Sequence, residues 1–407
     1  MTLKLTVMLI LILGIAYKTV LNAVKHRSAK NPIPESVSDV YDAETYLKWK
    51  KYSAETCRAS IVFTLISGAI TLILLATNVY ASFASLFPSG VFWQLLAVVI
   101  LEAAVGTAVE IVECYFSVMV IEQKYGFNRT NVKTFVLDRI RSLALSVILT
   151  LGLVCLLWGL HSLMGDWLII LFAAALFAIN LIVSFLYPVF SRIGNKFTPL
   201  EDGELKERLM ELLTNHGYKV KAISVMDASR RTTKLNAYFT GFGKMKTIVL
   251  YDNLVNAMST DEICAVFAHE LGHGLHKDVL KMQIMNIGNL LLMAVIAWIT
   301  LREGALHTAF GFGEVNYGFA YVLIGIALEM ISPITGMIMN AYSRRAEYRA
   351  DRQAVNEGYG EAMVTALKKL ARENFSHLSP SRLNVIMEYS HPPLASRIEA
   401  VEKASEE

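Results

Sequence analysis

The sequence predicts a mainly α-helical membrane protein with seven transmembrane helices and a polar part divided around the last two. Three observations predict it. Hydrophobic residues make up 54% of the 407 positions and charged residues only 18%, with a mean hydropathy of +0.45. That is too apolar for a water-soluble enzyme of this length. Seven apolar runs each approach or exceed the ~20 residues needed to cross a bilayer. Lysine and arginine fall in alternate connections between these runs, the signature of a fixed orientation.

The first run extends from Leu5 to about Val24. A cleaved signal would be shorter and would carry its basic residues in front, whereas only Lys4 precedes this run and the basic cluster follows it. A polar stretch with Pro32 and Pro34 leads to Ala59–Tyr80, Val91 to about Ile121, Leu143–Met164 and Trp167–Val189. From Phe190 to about Met282 the chain turns polar, with strand-like runs at Ala222–Met226, Leu235–Phe239 and Thr247–Tyr251 that predict a small sheet. Ile284–Leu301 and Phe319–Met339 are the sixth and seventh runs, and a polar tail with a helix at Gly360–Glu373 completes the chain. The expected parts are therefore 1–30, a first transmembrane helix; 31–189, helices two to five; 190–282, a polar part; 283–342, helices six and seven; and 343–407, a second polar part.

Lys25, Arg27, Lys30, Lys48, Lys50, Lys51 and Arg58 separate runs one and two, and none separates two and three. Lys124, Arg129, Lys133, Arg139 and Arg141 separate three and four, and none separates four and five. Arg192 and Lys196 follow run five, Arg302 alone lies between six and seven, and Arg344 and Arg345 follow seven. The N-terminus is then expected outside, with both polar parts in the cytoplasm. Glu102, Glu110 and Glu113 lie inside run three and fall within one helical arc. Each would cost roughly 2.5–3.5 kcal/mol against lipid, so they are expected to face a watery interior or partner side chains. Asn286, Asn289, Glu329 and Asn340 add polar groups to that interior; the lesser alternative is helix-to-helix hydrogen bonding without a cavity. Cys57, Cys114, Cys155 and Cys264 are scattered with no C-x-x-C and read as free thiols.

Chemistry concentrates in His269-Glu270-Leu271-Gly272-His273, an H-E-x-x-H within an apolar run. Residues four apart leave one helix face, so two imidazoles can grip one metal ion with Glu270 beside them as a general base. Ser259-x-x-Glu262 upstream is a capping box that starts the helix. Two histidines leave zinc short of a ligand. His276 lies seven residues from His269, a rise of about 10 Å, and cannot converge on the same ion. Val279 stands where the longer H-E-x-x-H-x-x-G-x-x-H pattern has its third histidine. A carboxylate from elsewhere is expected. Glu347, just past run seven with Asp351 four residues on, is the candidate, but its segment by itself reads more readily as a salt-bridged surface helix.

Several separate motifs in order resemble those of the Ste24 family, the type 1 CaaX prenyl endopeptidases of peptidase family M48. They are Glu122-Gln123-Lys124-Tyr125-Gly126-Phe127-Asn128-Arg129, Asn195-Lys196-Phe197-Thr198-Pro199-Leu200, Leu235-Asn236-Ala237-Tyr238-Phe239-Thr240-Gly241-Phe242-Gly243, H-E-x-x-H, Ser343-Arg344-x-x-Glu347-x-x-Ala350-Asp351 and His391-Pro392-Pro393-x-x-x-Arg397-Ile398. The resemblance runs from about residue 30 to the C-terminus. It implies seven helices around an intramembrane chamber, capped by a zincin-like (gluzincin) catalytic domain. It implies one Zn²⁺ per chain on His269, His273 and Glu347, with Glu270 as general base and Asp351 as support or proton donor. Asn236 and Ala237 would lie on the edge strand that pairs with substrate, and His391 and Arg397 would contact substrate, His391 also aiding catalysis.

The implied partners are the bilayer and a peptide or protein substrate, prenylated or plain, with no nucleic acid. The chain is shorter than the eukaryotic members and lacks a dilysine ending, so a prokaryotic member of the plasma membrane is expected; a eukaryotic one would sit in the endoplasmic reticulum. The rival readings are a quality-control protease of the related HtpX type and a non-catalytic membrane zinc protein, which would have no use for Glu270.

Overall fold

The computed structural model describes residues 2–190, 195–240 and 245–407. Arg192, Gly241, Phe242 and Gly243 of the sequence reading lie outside these residues. Seven long helices account for the seven apolar runs: Thr2–Ser28, Ala43–Ala76, Val91–Cys114, Val132–Met164, Leu168–Phe190, Asp278–Arg302 and Tyr317–Asn356. Six are long and apolar enough to cross a membrane, and the fifth in order, Leu168–Phe190, carries the shorter apolar stretch Leu171–Val183. Side-chain caps set several starts: Asp42, Asn131 and Asn316 each accept a hydrogen bond from the backbone N–H three residues on.

Several ends differ from the hydropathy reading: the second and fourth helices start early, at Ala43 and Val132, the seventh runs on to Asn356, and two further differences have a visible local cause. The second helix stops at Ala76 rather than Tyr80, because Asn78 turns left-handed at φ 56° and starts a separate short helix, Val79–Ala84. Asparagine tolerates that conformation better than most residues. The third helix runs on through π-helical turns at Tyr115–Glu122 to Tyr125, and Gly126 at φ 86° closes it. The one-residue widening of a π-turn is invisible to a hydropathy window.

The first span packs on the second and the seventh, and the sixth packs on the fifth and the seventh. All seven contribute to a cavity of about 590 Å³. Glu102 and Glu113 face it, and the Tyr80 hydroxyl donates to Glu102. Glu110 does not line it; its carboxylate pairs with Arg139 of the fourth span at 3.0 Å. The two choices open to the acidic arc, water or a partner, are thus both taken. Lys18 of the first span meets Glu329 of the seventh at 2.6 Å on the cavity wall. Asn340 donates instead to the Met387 carbonyl, beyond the span.

The polar part carries a four-stranded sheet in the order β1-β2-β4-β3, with β1 Phe197–Pro199, β2 Lys219–Met226, β3 Ala237–Thr240 and β4 Met245–Tyr251. β2 and β4 run parallel, and β1 and β3 pair antiparallel at the two edges. The three expected runs are β2, β3 and β4; β1, three residues ending in proline, is too short to show a period. The sheet and the helix Glu204–Asn215 share a core with the helix Thr260–Leu275, built on Leu209, Leu213, Ile248, Leu254 and Leu271. The tail folds into Gly360–Glu373, at the expected residues, then Arg382–Glu388 and Leu394–Glu406.

Candidate active site

The helix Thr260–Leu275 begins with the expected capping box: the Ser259 hydroxyl accepts from the Glu262 N–H, and Glu262 accepts from the Ser259 N–H at 2.8 Å. Cys264, Ala265, Ala268 and Leu271 are wholly buried along it. Gly272 marks its contact with the seventh helix. A Cβ there would stand 2.9 Å from Ala350 Cα and 3.0 Å from Gln353 Cβ. Glycine on one helix and alanine on the other bring the two backbones together, and a pair of residues four apart on each then faces its counterpart.

That counterpart is Glu347 and Asp351. Ligand atoms of His269, His273 and Glu347 all lie within 4.8 Å of one another. Glu347 Oε2 is 3.6 Å from His269 Nε2, and Oε1 is 3.4 Å from His273 Nε2. Tetrahedral coordination with bonds of about 2.0–2.1 Å sets ligands roughly 3.4 Å apart, so one ion can sit among the three. The other nitrogens fix the tautomers. His269 Nδ1–H donates to Asp351 Oδ1 at 2.8 Å, and His273 Nδ1–H donates to Asp278 Oδ2 at 3.1 Å. Both Nε2 lone pairs are thereby turned inward.

The electrostatics also call for a cation. Glu347 Oε2 is buried and accepts no hydrogen bond of sound geometry, though His391 Nδ1 stands 2.8 Å away. Burial alone would keep His273 neutral, but the carboxylates of Glu347 and Asp278 outweigh it and raise its pKa to about 9. A metal ion would take the place of that proton. Arg397 is buried, which opposes its charge, yet its salt bridge to Asp351, at 2.6 and 2.8 Å, pushes its pKa up.

Glu270 borders a small crevice with Ala237 and Tyr238 of the edge strand β3. Residues 199–405 match peptidase family M48, and residues 23–192 match the CAAX prenyl protease N-terminal family of five membrane helices. The chain is 30% identical to CAAX prenyl protease 1 of Saccharomyces cerevisiae over 93% of its own length and 90% of the yeast protein. It is likewise 30% identical to the CAAX prenyl protease 1 homolog of Oryza sativa subsp. japonica, over 98% and 97%. The crystal structure of S. mikatae Ste24p superposes with a TM-score of 0.92 at 29% identity, covering 98% of this chain and 99% of that one. The chain belongs to the Ste24, or CAAX prenyl protease 1, family. It is a membrane-integrated protease of family M48.

Within this Ste24-family fold the remaining sequence candidates fall in different places. His391 is well exposed, its side chain 62% accessible, at the mouth of the site. Arg397 is 12% accessible and committed to Asp351, with Nη1 3.3 Å from Glu347 Oε2. Asn236 sits just before β3; its carbonyl accepts from the Tyr251 N–H and its side chain from the Ala237 N–H. His276 caps the end of its helix, with Nδ1 2.8 Å from the Gly272 carbonyl, away from the ligand trio. Sequence reasoning missed Asp278, Tyr342 and Arg349. The only local sign was an acid five residues after His273, off the i,i+4 face and therefore unremarkable.

The close approach at Gly272 gives a test. Gly272→Ala must push the two helices apart or strain them, and overpacking of this kind costs about 1–3 kcal/mol. Thermal unfolding of the purified protein should show that loss, whereas Gly288→Ala, where a Cβ meets nothing within 4 Å, should not destabilise. Equal unfolding temperatures for wild type and Gly272→Ala would remove the close-approach argument.

Proposed function

We propose that the chain is a zinc metalloendopeptidase that hydrolyses peptide bonds near the C-terminus of prenylated, CaaX-type peptides or other membrane-associated peptides, with its catalytic part on the cytoplasmic side. The observation that carries this reading is one trio of ligand atoms, on buried His269 and Glu347 and half-buried His273, with Glu270 next to it on a crevice shared with an edge strand. When bound, zinc supplies a Lewis acid that acidifies water and polarises a carbonyl.

The chain's own residues do the rest. His269, His273 and Glu347 hold the metal. Glu270, beside His269 in the chain, accepts a proton from the attacking water and returns it to the leaving amine. Asp351 holds His269 in the required tautomer, and Arg397 keeps Asp351 charged. His391, exposed at the mouth, donates to the developing oxyanion. Among the described residues β3 pairs with β4 alone, so an extended substrate can add to its other edge at Asn236 and Ala237 through backbone hydrogen bonds, which tolerates varied side chains. The names of the relatives supply the CaaX substrate class, and the cavity among the spans offers room for an apolar group within the membrane part.

Three measurements test this. Purified protein should hold one zinc per chain and Glu347→Ala should lose most of it, whereas Glu270→Gln should keep zinc and lose roughly 10²–10⁴-fold in peptide hydrolysis. Full zinc with undiminished cleavage in Glu270→Gln would remove it as the base. A CaaX-type peptide farnesylated on its cysteine should be cleaved with higher kcat/KM than the same peptide unmodified; equal rates would discard the prenyl preference and leave the broader membrane-peptide reading. For orientation, cysteines placed at Ser85 and Gly165 should label from outside the cell, and one at Ser405 only after permeabilisation. Labelling of Ser405→Cys in intact cells would overturn the cytoplasmic placement.

A further inference from the structure

Each metal-facing histidine has its own carboxylate, and only one of the two was visible in the motifs. The second is Asp278, 3% exposed, the first residue of the sixth span. It is brought back against the site by Lys277, whose left-handed backbone at φ 55° reverses the chain between the helix Thr260–Leu275 and the span Asp278–Arg302. One carboxylate oxygen, Oδ2, accepts from His273 Nδ1 at 3.1 Å. The other, Oδ1, accepts from the Tyr342 hydroxyl and from Arg349 Nη2, both at 2.7 Å, and both donors belong to the seventh helix. Arg349 also reaches the Tyr342 oxygen at 3.3 Å, closing the triangle.

We propose that Asp278 is the positioning residue of His273, held on target by Tyr342 and Arg349, so that the second histidine ligand is aimed by the two membrane spans that flank it. The inference rests on the zinc reading above. Its chemistry is specific. Every group around Asp278 is a donor, so a full carboxylate satisfies all of them while turning His273 Nε2 toward Glu347. An asparagine keeps the volume but presents one donor of its own, so at least one contact becomes donor against donor. The arrangement is parallel to His269–Asp351–Arg397, with a carboxylate between a histidine and an arginine in both. The two differ in origin: Asp351 and Glu347 share one helix, whereas Asp278 belongs to another span. A shift of the sixth span against the seventh would therefore move the partner of His273 and not that of His269.

The test uses the full-length, detergent-solubilised protein, with zinc affinity read by competition with a chelator and ligand geometry read from the d–d absorption of the cobalt(II)-loaded form. Asp278→Asn should weaken zinc about 10–100-fold, the usual effect of losing such a partner, and shift the cobalt band. Tyr342→Phe leaves the His273–Asp278 bond intact but removes one of the two donors on the far side of the carboxylate, Arg349 being the other; it should shift the cobalt band in the same direction and weaken zinc by less than Asp278→Asn. If Asp278 only ties the two spans together, both variants will lower the unfolding temperature of the metal-free protein while zinc affinity and the cobalt band stay at wild-type values, and the proposal is then wrong. Should Asp278→Asn fail to fold, an unmoved cobalt band in Tyr342→Phe is enough to overturn it. Wild-type protein that takes up no zinc sinks the functional reading and this inference with it; wild type that binds zinc alongside unchanged variants sinks this inference alone.

Discussion

The structure depends on the contact between Gly272 and Ala350. Two pairs of residues with i,i+4 spacing, His269 and His273 on one helix and Glu347 and Asp351 on the other, are useless for catalysis until their helices lie close. A Cβ at Gly272 would stand 2.9 Å from Ala350 Cα, so no larger residue fits without moving a backbone. Protein interiors resist such movement because they are packed like crystals. The middle of the H-E-x-x-H motif therefore does structural work between its two ligands, and the site's dimensions follow from the smallest side chains in it.

The second constraint is the length of the helix Tyr317–Asn356. Its first part is apolar enough to lie in a bilayer, and its last part carries Glu347 and Asp351. Forty residues make one rod of roughly 60 Å. The ligand from the tail is thus built onto the wall of the membrane cavity, not suspended from a loop. Asp278 at the start of the sixth span attaches the other side of the site in the same way. The polar site and the membrane part are joined through continuous helices.

Charge shapes both halves. Among the spans, carboxylates are spent in distinct ways: Glu329 on Lys18, Glu110 on Arg139, and Glu102 on a tyrosine at the cavity. At the catalytic end, Glu347, Asp351 and Asp278 gather around two imidazoles, with Arg397 and Arg349 behind them. Buried carboxylates in such number are stable only when cations meet them. Arginine meets them from outside the ligand trio, and a proton on His273, or a metal ion, meets them from inside.

How much of this was legible in the sequence follows from the range of each interaction. The seven apolar runs, the capping box at Ser259, the H-E-x-x-H face and the helix at Gly360–Glu373 are local periodicities, and one stretch of chain carries each of them. The sequence by itself determined that the protein lies in a membrane, that two histidines share one helix face, and, through its motifs, its family. It did not determine which carboxylate serves which histidine. Glu347 lies 74 residues after His273, and its segment alone reads as a surface helix; only the packing of its helix against Gly272 brings it beside the two histidines. The partnership of Arg397 with Asp351, the division of Glu102 and Glu113 from Glu110, and the turn of Asp278 back onto His273 were likewise decided by tertiary structure. Each depends on helices meeting at particular angles, and a residue's own neighbours in the chain carry no record of what lies across such a contact.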